Sequence, residues 1–381
     1  MSKKINLIAS AAIVALAAAG CSSTATSSAT SAAATSQSNA ATATSLNDVG
    51  GLAGLIKLAK AEKELNVIAL PPDWANYGEM IATFSTKYGI KVNSVNPDGS
   101  SADEINAVTT LKGQKRQPDA VDVGLSFAVQ GAASGLFAPY EVAGWNDIPA
   151  AAKDPNGLWF SDYGGYIAIG YDAKKVSPAP TSFKDLLKPA YKGQVALNGN
   201  PAKANAAFSA VFASALANGG TLDTVSKGLD FWKQMKKLGN FIPVESTPAT
   251  VQSGQTPITL DWDYLQGKYS KENAGKVDWK VVVPSDAVYG GFYAQAVVKD
   301  SPHPAAARLW QEFMYSDEGQ NIWLKGGARP IRLPAMQQAG TANTTYLAGL
   351  PSLPAGVTPV FATLKQILAA KNVVATTWGT F

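Results

Sequence analysis

Asp261-Trp262-Asp263-Tyr264 places two carboxylates and two aromatic rings in four consecutive residues. Carboxylates pair with a cation, and an aromatic face attracts one through its ring quadrupole. The tetrad suits a polyamine-like organic cation. The same residues also fit a helix N-terminus, with Asp capping and the rings packed inward, and the two readings can hold for different members. Other candidates stand where loops leave apolar runs. Trp74 and Tyr77, in Pro72-Asp73-Trp74-Ala75-Asn76-Tyr77, are placed either to stack on a ligand or to cover a sheet edge. Ser100 and Ser101, in Asp98-Gly99-Ser100-Ser101-Ala102-Asp103-Glu104, offer hydroxyl donors, while Ser101 with Glu104 also fits a capping box. Ser126 is a candidate of the same kind. Asn198, in Asn198-Gly199-Asn200, supplies amide hydrogen bonds to a ligand or only a turn and a helix cap. Tyr289 and Tyr293 flank Gly290-Gly291 and are candidates for a cleft floor, against the alternative of core packing. These loops carry Asp and Glu and almost no Arg or Lys. An anion would lack a charged clamp, although helix N-termini alone can bind anions.

Other chemistries find little support. Cys21 is the only cysteine and His303 the only histidine, so metal-ligand spacing is absent and no metal or cofactor is expected. No Gly-x-Ser-x-Gly elbow, Cys–His pair or Walker loop is present, so the chain is not read as an enzyme. A secreted hydrolase is the remote alternative, because paired glycosidase carboxylates are neighbours only in space. The net charge of +4 is diffuse, with no basic run to follow a nucleic-acid backbone. Hydrophobic content of 46% permits a large core. A lone cysteine forbids any intrachain disulfide.

The elements that must position these candidates alternate. Strands are expected at 65–70, 90–95, 121–125, 166–171, 194–197, 257–260, 281–284 and 292–298. Helices are expected at 52–61, 77–88, 101–111, 184–187, 202–217, 223–238, 304–315 and 359–370. Alternation of this kind means an α/β fold with largely parallel sheets.

The N-terminus sets the compartment. Lys3 and Lys4 precede an apolar run over residues 5–19, which is too short for a membrane span and reads as a secretory leader. Ala18-Ala19-Gly20-Cys21 resembles the lipobox of bacterial lipoproteins. That resemblance implies cleavage before Cys21 and diacylation of its thiol, which supplies the two chains that stable anchoring needs. Residues from 22 to about 45 are nearly all Ser, Ala and Thr, and read as a flexible tether. An extracytoplasmic, lipid-anchored protein follows, on a Gram-positive cell surface by preference, or in a periplasm.

Several stretches of the body resemble the extracellular solute-binding proteins of ABC importers, in the branch with ferric iron, polyamine, thiamine and phosphonate binders. Tyr191-Lys192-Gly193-Gln194-Val195-Ala196-Leu197, after a helix at 182–189, resembles the family's "YKGKVAL" strand. His303-Pro304-Ala305-Ala306 with Ser316-Asp317-Glu318-Gly319-Gln320 resembles its "HP-x-A-A…S-x-E-G-Q" segment, and Asp122-Val123-Gly124 its third strand. The resemblance implies a type II periplasmic-binding-protein-like fold: two α/β lobes with mainly parallel sheets, joined by a crossing-strand hinge. The expected domains are 1–21 leader, 22–48 tether, 49–164 plus 294–340 lobe one, 165–293 lobe two, and 341–381 a C-terminal segment with a helix on the lobes. It further implies a monomer that captures a small solute between the lobes and delivers it to permease subunits. A ferric iron binder, with iron held by Tyr264, Tyr289 and Tyr293, or a phosphonate binder, is the alternative within the family.

Overall fold

The computed structural model describes residues 39–381. Cys21, the leader and most of the tether lie outside the described residues. From residue 39 onward the chain is not free, which corrects the tether read to residue 48. Ala40 and Ala43 are buried. Arg308 donates from Nη2 to Ala41 O (3.0 Å) and from Nε to Ala43 O (2.8 Å). Glu141 N donates to Thr44 O (2.7 Å). Burying Arg308 demands such acceptors, and the low-charge Ser/Ala/Thr segment provides them from its backbone.

The strands are β1 (Glu64–Ile68), β2 (Lys91–Val95), β3 (Ala120–Gly124), β4 (Phe137–Ala138), β5 (Phe160–Asp172), β6 (Val195–Leu197), β7 (Phe241–Glu245), β8 (Ile258–Trp262), β9 (Trp279–Val282), β10 (Tyr289–Val298), β11 (Arg329–Pro330) and β12 (Val360–Phe361). The α-helices are α1 (Gly51–Glu62), α2 (Tyr77–Tyr88), α3 (Ser101–Thr110), α4 (Leu125–Ala133), α5 (Asn205–Ala217), α6 (Ser226–Leu238), α7 (Pro248–Ser253), α8 (Asp263–Glu272), α9 (Pro304–Met314), α10 (Asp317–Lys325), α11 (Leu333–Ala339), α12 (Thr344–Ala348) and α13 (Leu364–Thr377).

Lobe one holds β1 to β4 with α1 to α4, and α9 returns to pack on α1. Leu55 and Ala59, one turn apart on α1, are fully buried, as an apolar stripe on one helix face requires. Glu62 accepts from Ala305 N and Ala306 N (3.0 and 2.7 Å), filling the donors at the start of α9. Lobe two holds β6 to β9 with α5 to α8. Pairing is parallel for β1–β2, β6–β7, β6–β8 and β10–β12, and otherwise antiparallel along the two long strands that join the lobes.

Those strands are β5 and β10. β10 pairs with β3 (Tyr293 opposite Gly124) and with β5 (Gly291 opposite Gly165). Further along, β5 pairs with β8 (Ile167 opposite Trp262). Glycines make the crossing thin. A Cβ on Gly165 would stand 2.5 Å from Asp263 Oδ1, and one on Gly291 2.7 Å from the Trp262 ring. The C-terminal segment bridges the two lobes. β12 lies beside β10. On α13, Lys371 Nζ lies 3.3 Å from the Phe127 ring centroid on lobe one, and Gln366 Nε2 donates to Asp223 Oδ1 (3.1 Å) on lobe two.

Candidate functional site

A cavity of about 100 Å³ lies between the lobes. Lobe one contributes the loops after β1 and β2, with Asp73, Trp74, Asp98, Ser100 and Ser101, together with Glu104 of α3 and Asp122 of β3. Lobe two contributes Asn198 after β6, Glu245 to Pro248 after β7, and Tyr269 of α8; Tyr293 enters from β10. Loops at the carboxyl ends of strands are where open α/β sheets place ligands.

Five expected residues line this cavity: Trp74, Ser100, Ser101, Asn198 and Tyr293. Trp74 Nε1 donates to Tyr163 Oη (2.9 Å), which fixes the indole against the hinge. Ser100 is the N-cap of α3, boxed with Asp103, so the expected box of Ser101 and Glu104 forms one residue earlier. Ser101 Oγ instead accepts from Gly124 N (3.1 Å). Asn198 Nδ2 donates to Asp261 Oδ2 (2.5 Å).

The other seven sit elsewhere. Asp261, Trp262, Asp263 and Tyr264 are buried at 0 to 2% exposure, behind the cavity wall. The tetrad ends β8 and starts α8, and the glycines of the crossing strands let it pack inward. Asp263 Oδ2 accepts from Arg329 Nη1 (2.6 Å) and its Oδ1 from Tyr166 N (3.0 Å), so its charge is already matched. Burial raises its pKa, and the Arg329 guanidinium offsets part of that rise. Burial pushes Asp261 up to about 7, against the hydrogen bond from Asn198. Trp262 and Tyr264 stack with centroids 6.3 Å apart. Tyr77 lies under the floor and donates to Asp122 Oδ2 (2.8 Å). Ser126 is buried within α4. Tyr289 stacks on Phe212 (5.2 Å) and lines a different, apolar cavity of about 1060 Å³ bounded by α4, β10 and the C-terminal segment.

The structure adds Asp73, Asp98, Glu104, Asp122, Glu245, Ser246, Thr247 and Tyr269 to the wall. Asp73 and Asp98 adjoin residues singled out from the sequence, and Glu104 was legible as a capping partner. Glu245 had no such signal, because its strand carries Pro243, which speaks against a strand except at a sheet edge. β7 is that edge, beside β6 alone. The cavity therefore presents Asp73, Asp98, Glu104, Asp122 and Glu245, and no Lys or Arg. Burial raises the pKa of Glu245, and the charges of Asp98 and Asp103 across the cleft add to that rise. Ser246 Oγ and Asp122 Oδ1 are buried without a hydrogen-bond partner.

Comparison with known proteins agrees with this architecture. Residues 123–347 match the model of the family described as bacterial extracellular solute-binding protein. Iron uptake protein A1 of Synechocystis sp. is 25% identical over 254 residues, covering 64% of this chain and 68% of that protein. The structure of the periplasmic binding protein AfuA from Actinobacillus pleuropneumoniae, with exogenous fructose-6-phosphate bound, superposes with a TM-score of 0.65 at 18% identity, over 84% of this chain and 98% of the other. Iron-bound HitA from Pseudomonas aeruginosa superposes with a TM-score of 0.60 at 20% identity, over 82% and 98%. The fold is that of type II periplasmic binding proteins. This chain belongs to the family of bacterial extracellular solute-binding proteins, working outside the cytoplasm as the substrate-binding component of an ABC transporter.

Proposed function

We propose that the interlobe cavity captures a slender organic cation, an amine of the polyamine class, and that the protein delivers it to its permease while anchored through a lipid on Cys21. The observation that carries the reading is the charge of the wall: five carboxyl side chains from both lobes and no Lys or Arg. Trp74, Tyr269 and Tyr293 add aromatic surface, which favours a cation. The small volume argues the same way. Pockets for drug-sized molecules run to roughly 300–1,000 Å³, and about 100 Å³ suits a thin chain. A phosphate-bearing solute would meet carboxylates, and the first turn of α3 already carries Asp103 and Glu104.

Of Tyr264, Tyr289 and Tyr293, the tyrosines considered for a ferric ion, only Tyr293 lines the cavity. Tyr293 Oη accepts from Trp262 Nε1 (3.3 Å), and Tyr289 faces Phe212 outside the cleft. His303 is bound to Asp119 (2.9 Å between Nδ1 and Oδ2). Among the described residues, no group of three or more His, Cys, Asp or Glu is placed to hold a metal.

Thermal-shift and calorimetric titrations of the purified protein with putrescine, spermidine, ferric citrate, a phosphonate and fructose-6-phosphate test the reading. An amine at a hundred times its Kd stabilises by about 2.7 kcal/mol. Glu245→Gln should weaken amine binding without lowering the melting temperature. Amines without effect, beside a large shift from ferric citrate, the phosphonate or the sugar phosphate, would sink the reading.

A further inference from the structure

Three carboxyl groups meet at the floor of the cleft: Glu104 of α3, Asp122 of β3 and Asp162 of β5. They are 1%, 6% and 0% exposed. Asp122 Oδ2 accepts from Tyr77 Oη (2.8 Å) and Tyr163 Oη (2.7 Å). Asp162 Oδ2 accepts from Gln295 Nε2 (2.8 Å), and its Oδ1 from Tyr163 N (2.6 Å). Glu104 Oε2 accepts from Asp122 N (3.0 Å). Gln295 stands directly opposite Asp122 across β3 and β10. The carboxyl groups of Asp122 and Asp162 are neighbours on Tyr163, which donates its hydroxyl to the first and its backbone N–H to the second. All other donors around the group are neutral.

No ion pair among the described residues includes any of the three. The ionisable groups that face them bring no positive charge: Tyr77 from α2, Asp103 from α3, Tyr163 from β5, Tyr264 from α8, Tyr293 from β10 and Tyr315 after α9. Asp73 and Asp98 stand nearby on the same lobe, and Glu245 stands across the cleft. Three buried carboxylates without a cation are too costly to stay ionised together, and two carboxyl groups in contact hold a proton between them. Burial raises the pKa of both Asp122 and Asp162, and their mutual proximity raises that of Asp162 further.

Glu104 and Asp122 line the cavity, whereas Asp162 lies behind them. We propose that the site exchanges a proton for its cation: Asp162 and Asp122 share a proton in the empty protein, and that proton leaves for bulk solvent when a cationic amine seats against Glu104 and Asp122. One ammonium group of the amine seats against the floor and one proton departs, so the three-carboxyl group keeps its net charge. Asp162 is then a positioning residue for specificity. A neutral molecule of the same shape displaces no proton and leaves the floor as it was. The inference rests on the reading of the cleft as a cation site.

Calorimetric titration with spermidine in buffers of different ionisation enthalpy measures the proton count directly. About one proton released per spermidine bound is expected near pH 6. Affinity should rise up to about tenfold per pH unit where the empty site is protonated and the filled one is not. Asp162→Asn leaves a neutral amide beside Asp122, and it should bind spermidine with no proton release and a flattened pH profile. Binding of spermidine by the native protein with no proton release at any pH from 5 to 8 would overturn the inference and leave the cation reading standing. Failure of every amine to bind would overturn the cation reading and this inference with it. Unchanged proton release in a folded Asp162→Asn protein would remove Asp162 from the role.

Discussion

Arg329→Met separates the two roles that the sequence offers for Asp263. In the structure Asp263 is fully buried and matched by Arg329, whose side chain is 15% exposed. Methionine keeps much of the volume and removes the guanidinium. Asp263 is then left with the backbone donor of Tyr166. Breaking a buried pair from one side costs about 3–5 kcal/mol, because the stranded charge has lost its partner and cannot regain water. Unfolding entropy near 2.1 cal/mol/K per residue, over roughly 340 ordered residues, gives about 0.7 kcal/mol/K. A loss of about 4 kcal/mol therefore lowers the melting temperature by about 6 °C. The loss should depend on pH in a definite direction. Burial already raises the pKa of Asp263, and removing Arg329 raises it further. A group with a raised folded pKa keeps its contribution below the unfolded value and loses it as pH climbs through the folded one. The deficit should thus be small at pH 5 and large at pH 8, when followed by differential scanning calorimetry. Arg329→Met with Asp263→Asn should recover most of the loss. Solute affinity should change little in all three variants. A deficit below about 1 kcal/mol at pH 8, or a folded Asp263→Asn protein that no longer binds solute, would refute the assignment of Asp263 to structure.

Trp74→Ala removes an aromatic wall and the donor to Tyr163, and should weaken amine binding at least about tenfold in calorimetry, with a smaller effect on the melting temperature. Arg308→Met strands the carbonyls of Ala41 and Ala43, so limited proteolysis with mass spectrometry should show new cleavage at residues 39–48. Burial lifts Glu62 and Asp261 to about 7, well above their unfolded values, so the melting temperature should fall as pH is raised from 5 to 8. A melting temperature that rises over that interval would contradict both assignments.

Periodicity and turn chemistry made most elements legible. Apolar runs marked β1, β3, β6 and β8, and the spacing of Leu229, Trp232 and Met235 marked α6. The two crossing strands were legible only in part. The apolar run at 166–171 shows half of β5, because Ser161, Asp162, Gly164 and Gly165 look like a loop until tertiary pairing buries them. The site was legible at its loops and not at its floor. Asp122 and Asp162 sit inside strands, where an acidic residue gives no local sign of the partner it will meet. The depth of the Asp261–Tyr264 tetrad was not legible: it is buried behind the wall. The glycines at 165 and 291 admit those side chains into the hinge, and nothing near the tetrad in sequence reveals them.

The clasp of Arg308 on Ala41 and Ala43 bears on how the chain reaches its native state. It joins positions 267 residues apart, and α9 cannot meet α1 until both crossing strands exist. Lobe two is continuous in the chain and depends on local partners, so it is free to collapse first during synthesis or export. Lobe one must wait for its returning segment. Such distant pairings close large loops before contacts reward them, and folding of this kind is slow. Lobe one therefore stays open until the last part of the chain arrives to complete it.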